Sequence, residues 1–171
     1  YYSPVPGFME LRQAISHKLK RDNHLEYSPK QICVSNGAKQ SIFNVLASII
    51  NDGDEVILPA PFWVSYEEMV KMMGGVPVIV ETNIESEFKI TAEQLEKAIT
   101  PKTKAVIYSS PCNPSGSFYT YDELKSIATV VAKFPQVTVI SDEIYEFINY
   151  TGKHVSIAEF PEVYEQTAVI N

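Results

Sequence analysis

Four short stretches of the chain carry residue types able to do chemistry. The first, Ser109-Ser110-Pro111-Cys112-Asn113-Pro114-Ser115-Gly116, is a loop stiffened by two prolines and a glycine, with one amide side chain between the prolines. Asn113 can donate a hydrogen bond to a ligand oxygen without adding charge; the plain alternative is a turn. The second, Ser141-Asp142-Glu143-Ile144-Tyr145, follows the apolar run Val137 to Ile140. An Asp at the end of a buried strand is costly unless a cation or a donor meets it. The Tyr145 hydroxyl, three residues on, could reach the same ligand. A helix cap or a salt bridge to a lysine competes with that reading of Asp142.

The third stretch is Ser35-Asn36-Gly37-Ala38-Lys39-Gln40, a small-residue turn that opens a helix. Free backbone N–H groups and the positive end of the helix dipole suit such a turn to a phosphate. Alone it reads better as a tight turn with a glycine for backbone reasons. The fourth is Pro59-Ala60-Pro61-Phe62-Trp63, with the single tryptophan of the chain. A tryptophan just past a strand can stack on a flat heteroaromatic ring, or simply pack the domain rim. An apolar strand ending in Asp142-Glu143 also has the look of a magnesium-binding Walker B segment. That reading requires a G-x-x-x-x-G-K-[ST] loop, and the sequence contains none.

All four stretches need strands to deliver them and helices to cover those strands. Leu11, Ile15 and Leu19 predict a helix from Gly7 to about Arg21. Ile32 to Val34 reads as a short β-rich run. Ile42, Val45, Leu46 and Ile49 mark a second helix, closed by Asn51-Asp52-Gly53-Asp54. Glu55 to Leu58 is a strand that Pro59 should end. Tyr66, Met69, Val70 and Met73 form a helix before Gly74-Gly75, and Val76 to Val80 is the next strand. Thr91-Ala92-Glu93-Gln94 and Thr120-Tyr121-Asp122-Glu123 have capping-box form and announce two more helices. Lys104 to Tyr108 and Val137 to Ile140 are continuous apolar runs, as expected of strands covered on both faces.

This alternation predicts an α/β sandwich with a largely parallel sheet and ligands beyond the carboxyl ends of its strands. The 171 residues suit one domain, and 45% hydrophobic with 20% charged residues is a globular composition. A net charge of −7 argues against a nucleic-acid face, which needs clustered Lys and Arg. Cys33 and Cys112 are too far apart in sequence for a disulfide framework or a zinc spacing, so a reducing, cytoplasmic location is expected. No apolar run reaches membrane-spanning length. The histidines His17, His24 and His154 read as solvent-facing, Cys112 as a small buried filler, and Lys39 and Lys153 as surface residues. Both ends, Tyr1-Tyr2-Ser3-Pro4 and the apolar run into Asn171, look like cuts through a longer chain.

In this order and spacing, the set resembles the class I aminotransferases of the aspartate aminotransferase family. These have the type I fold of pyridoxal-phosphate enzymes, a three-layer α/β sandwich around a largely parallel mixed sheet. The resemblance runs from Tyr2-Ser3-Pro4-Val5-Pro6-Gly7 to Thr167-Ala168-Val169-Ile170-Asn171. It implies pyridoxal 5′-phosphate as cofactor, with the backbone of Gly37, Ala38 and Lys39 at its phosphate. Trp63 would stack on the pyridine ring and touch the substrate carboxylate. Asn113 and Tyr145 would share the 3′-oxygen, with Asn113 also near the substrate, and Asp142 would pair with the pyridine nitrogen. Tyr2 would reach the phosphate of a neighbouring subunit, implying a homodimer.

The resemblance also implies what residues 1–171 lack. The Schiff-base lysine belongs in a Ser-Lys turn just beyond Asn171, and the arginines for the substrate carboxylate and the phosphate lie further on. Residues 1–171 then form a cofactor-binding large domain truncated at both ends, without the small domain, and inactive alone. The whole protein would move an amino group between an amino acid and a 2-oxo acid. A C–S β-lyase of the same fold and a non-catalytic remnant domain are the alternatives.

Overall fold

The computed structural model describes residues 2–150 and 152–171. Five strands form one sheet: β1 (Glu55–Ala60), β2 (Val76–Glu81), β3 (Thr103–Ser109), β4 (Thr138–Asp142) and β5 (Thr167–Ile170). Their order is β2-β1-β3-β4-β5, and every neighbouring pair is parallel. Parallel neighbours cannot be joined by a hairpin and need a crossover. The crossovers carry the helices α3 (Ser65–Met72), α4 (Ala92–Ala98) and α5 (Tyr121–Val131), while α1 (Met9–Asn23) and α2 (Ala38–Ile49) precede the sheet.

Alternation along the strands divides the interior in two. Val56, Leu58, Ala105, Ile107 and Ile140 pack with Ile42 and Leu46 of α2 and with Tyr66, Met69 and Val70 of α3. Ile57, Val106, Tyr108 and Val139 point the other way, onto Leu95 of α4 and Leu124, Ile127 and Val131 of α5. Because both faces are covered, β3 is buried without a break from Ala105 to Ser109, which explains its unbroken apolar run. Leu46 and Leu124 are fully buried, one in each core. Truncating either to Ala would cost about 2–5 kcal/mol. The helix starts are local: Thr91 accepts from the Gln94 amide and Thr120 from the Glu123 amide, both in full capping boxes.

Three expectations change. Strand β1 runs through Pro59 to Ala60 rather than ending at Leu58; its ladder with β3 stops at Ile57, so Pro59 meets only β2 and its missing N–H is not needed. Ile32 to Val34 is extended but not a strand. Among the described residues it pairs with no strand; the Val34 amide donates to Pro6 O at 3.1 Å and the Ile32 amide to Pro29 O at 3.4 Å. Gly7, at φ +90°, lies so close to Val34 that a Cβ there would come within 2.7 Å of the valine side chain. Between this extended run, α1, α2 and β5 lies a cavity of about 350 Å³. The third change is on α1, where Leu11 is exposed and Arg12 is buried in its place.

Candidate functional site

The sheet order sets β1, β3 and β4 side by side, so the segments leaving their carboxyl ends are neighbours. Strand β1 leads into Pro61-Phe62-Trp63 and β3 into the loop of Asn113. Strand β4 ends on Asp142, in register with Ser109 of β3. Helices α2 and α3 cover this side of the sheet, which brings the Gly37–Lys39 turn to the same edge.

Asp142 is the most constrained of these residues. It is 4% exposed, and its Oδ2 accepts from the Tyr66 hydroxyl at 2.5 Å, both side chains being buried. Oδ1 has a longer bond, 3.4 Å, from the Ile144 amide. Burial pushes the Asp142 carboxyl above its ordinary value, the Tyr66 hydroxyl and the Ile144 amide pull it partly back, and neighbouring Glu143 pushes it up again. The Tyr66 phenol is likewise held far above its ordinary value, by burial and by the charge of Asp142. A carboxylate in this position favours a cation, because an approaching positive charge would relieve its desolvation.

The indole of Trp63 meets the Tyr66 ring edge-on, with centroids 5.7 Å apart. The Lys39 ammonium lies 4.7 Å from the centroid of the Trp63 ring. Contacts therefore run without a gap from the turn through Lys39, Trp63 and Tyr66 to Asp142. Gly37 caps α2 with φ 85° and ψ 166°, a conformation open essentially to glycine alone; the Gln40 side chain accepts from the Asn36 amide, and among the described residues no side chain accepts from the first amides of the helix itself. The row thus has the opening amides of α2, a place chemically suited to an anion, at one end and a carboxylate at the other.

The remaining candidates are placed less tightly. Asn113 is exposed at the tip of its loop, on the same edge of the sheet but without a bond to Asp142. Its loop is held from within: Ser109 Oγ donates to Pro111 O at 2.8 Å and the Cys112 amide to Ser117 O at 2.8 Å. Tyr145 is half-buried in the turn after β4, where the Glu146 amide donates to Glu143 O at 2.9 Å. Tyr2 is fully exposed. Lys39 and Lys153 are exposed, as are His17 and His24.

His154 departs from its expected place in solvent. Its side chain is 10% exposed and its Nε2 lies 2.8 Å from Glu143 Oε2. The polar stretch around it had suggested a free loop, but Glu143 on the reverse face of β4 draws it in. Cys112 is only half-buried, its Sγ 3.6 Å from Pro61 O, so it is a loop contact rather than a core filler. Tyr66 was legible only as a core position of a helix; the signal for more was a phenol three residues after Trp63, in the first turn of the helix that follows a strand end. A further cluster joins Lys18, Asn23, Glu146 and Asn171: Asn23 donates to Glu146 at 2.7 Å, and Lys18 pairs with the same carboxylate. Burial alone would raise Glu146, but Lys18, Asn23 and Asn171 outweigh it and hold the group below its ordinary value.

Comparison with known proteins follows the same outline. An aspartate aminotransferase of Bacillus sp. (strain YM-2) is 52% identical over 172 residues, covering 99% of this chain and 44% of the relative. A bifunctional aspartate aminotransferase and glutamate/aspartate-prephenate aminotransferase of Petunia hybrida is 48% identical, with 99% of this chain and 36% of the relative covered. Among solved structures, the aspartate aminotransferase of Thermus thermophilus with maleate superposes with a TM-score of 0.94 at 41% identity, over 99% of this chain and 44% of that one. The enzyme from Rhizobium meliloti gives 0.95 at 39% identity, over 98% and 42%. The chain therefore spans less than half the length of these relatives. The model of the family "Aminotransferase class I and II" matches residues 1–170, and the chain belongs to that family.

Proposed function

We propose that these residues are the cofactor-holding part of a pyridoxal-phosphate-dependent aminotransferase acting on dicarboxylic amino acids and 2-oxo acids. The observation that carries the reading is the contact row from the α2 turn through Lys39, Trp63 and Tyr66 to Asp142. It offers an anion seat, an aromatic face and a buried carboxylate, the three recognition elements that a phosphorylated pyridine requires. The fit is supported by two features of this chain: an α2 terminus with no side-chain cap, and a desolvated Asp142 with no cationic partner among the described residues.

In this reading the amides of Gly37, Ala38 and Lys39 take the phosphate, Trp63 sets the plane of the ring, and Asp142 keeps the ring nitrogen protonated. Asn113 and Tyr145 hold the 3′-oxygen, with Trp63 and Asn113 also bordering the substrate. Pyridoxal phosphate supplies the electron sink on which loss of a substrate α-proton depends. Tyr66 holds Asp142 in place and keeps water from it. The Lys39 ammonium, over the same indole, adds a positive charge to the rim, suited to a second carboxylate on the substrate; the Thermus relative with maleate fits that preference. Tyr2 projects from the surface and would serve a second copy, in a cytoplasmic homodimer. The residues would form a partial large domain, with the lysine that bonds the cofactor supplied by chain beyond Asn171 and no turnover without it.

The test is amino transfer from aspartate to 2-oxoglutarate by the full-length protein with added pyridoxal phosphate. Formation of glutamate and oxaloacetate is expected. Pyruvate and ammonia formed from an amino acid carrying a β-leaving group, without amino transfer, would point instead to the lyase chemistry of the same fold.

A further inference from the structure

Asp142 and Glu143 are consecutive, yet their side chains leave opposite faces of the sheet. Asp142 meets Tyr66 among the α2 and α3 side chains, while Glu143, 1% exposed, is buried beneath the α5 face. Glu143 is the hub of a closed polar cluster. Its Oε1 accepts from Ser141 Oγ and from Ser156 Oγ, each at 2.7 Å, and its Oε2 is 2.8 Å from His154 Nε2. Ser141 Oγ is also 2.8 Å from the Tyr108 hydroxyl, and the Glu143 amide donates to Ile170 O at 2.7 Å. The Glu143 carboxylate thereby ties the end of β4 to the returning segment 154–156, its amide ties it to β5, and Ser141 extends the cluster to Tyr108 of β3.

Neither the candidate site nor the core requires an ionisable pair here, and a buried carboxylate is expensive unless donors surround it. Two consequences follow for Asp142. The backbone at 141–143 is fixed from below, so the direction of the Asp142 side chain is fixed with it. The Glu143 carboxylate also opposes ionisation of Asp142, and His154, with Ser141 and Ser156, sets where that carboxylate lies. We propose that His154 is a positioning residue for Asp142, acting through the buried Glu143 carboxylate on the opposite face of β4. The inference rests on the cofactor reading above, in which Asp142 faces a ring nitrogen.

The test compares two ligands on the full-length protein stripped of cofactor: pyridoxal 5′-phosphate and its analogue with the ring nitrogen replaced by C–H. The unsubstituted protein should bind the first more tightly. His154→Ala should weaken pyridoxal phosphate by roughly tenfold while leaving the analogue within about twofold, since coupled neighbours interact on that scale. His154→Gln, whose amide can still donate to Glu143, should recover part of the loss. Should His154→Ala not fold, Ser156→Ala carries the test: it removes another donor from the same carboxylate, and a selective loss of about threefold is expected. Equal losses for both ligands would mark a merely structural role and overturn the inference, as would discrimination that survives unchanged. An unsubstituted protein that binds neither ligand, or both equally, overturns the cofactor reading and this inference together.

Discussion

The Tyr66 hydroxyl donates to Asp142 Oδ2 at 2.5 Å, and both side chains are shut away from solvent. It is the short bond on a carboxylate whose other partner, the Ile144 amide, stands at 3.4 Å. Tyr66→Phe should therefore leave Asp142 buried and nearly bare, a change that costs about 1–3 kcal/mol. The variant should unfold at lower denaturant and bind pyridoxal phosphate roughly tenfold more weakly. Unchanged affinity in a fluorescence titration would show that Tyr66 does not serve the site.

A buried carboxylate with a raised pKa works against the fold that holds it. Asp142 is pushed above its ordinary 3.8 in the folded chain. The folded state then keeps its proton to higher pH than the unfolded state, so stability falls as pH rises through that window. Asp142→Asn should abolish this fall and leave the cofactor-free protein more stable than its parent near neutral pH. Melting temperature against pH, without cofactor, reads this directly; parallel curves for the two proteins would contradict it. With cofactor, the same variant should lose about 10²–10³-fold in kcat.

Gly37 tests the phosphate seat. Its φ of 85° with ψ of 166° lies where other residues are strained by about 1–3 kcal/mol, and no atom lies within 4 Å of the place a Cβ would take. Gly37→Ala should thus act through the backbone alone, turning the α2 amides away from the phosphate. A loss of that size in denaturant stability is expected, with weaker binding of pyridoxal phosphate than of pyridoxal taken as the reference.

Lys39 separates substrate preference from cofactor binding. Its amide belongs to the α2 turn, while its ammonium stands over Trp63. Lys39→Met keeps the amide and removes the charge. KM for aspartate should rise about three- to fivefold, the worth of an exposed ion pair, with KM for a monocarboxylic amino acid unchanged. Equal effects on both substrates would dismiss the charge.

Much of this site was legible in the sequence because strand ends announce themselves. The apolar runs before Asn113 and Asp142 fixed β3 and β4 to within a few residues, and the Thr91 and Thr120 capping boxes located two helices. What stayed hidden depended on distance across the chain. Tyr66 is 76 residues from Asp142, and its phenol looked like one more apolar position of α3. His154 sits in a polar stretch, and nothing local shows that Glu143 holds it. Ile32 to Val34 has β-rich residues, but a strand exists only where a neighbour accepts its hydrogen bonds, and here the neighbour is the loop at Pro6.

On the proposed reading, Asp142 faces a pyridine nitrogen and keeps it protonated. The direct measurement is the ¹⁵N chemical shift of ring-labelled pyridoxal phosphate bound to the full-length protein, compared with the Asp142→Asn variant. A protonated nitrogen in the parent and an unprotonated one in the variant, at the same pH, is the predicted result. The same shift in both proteins would show that Asp142 does not protonate the ring.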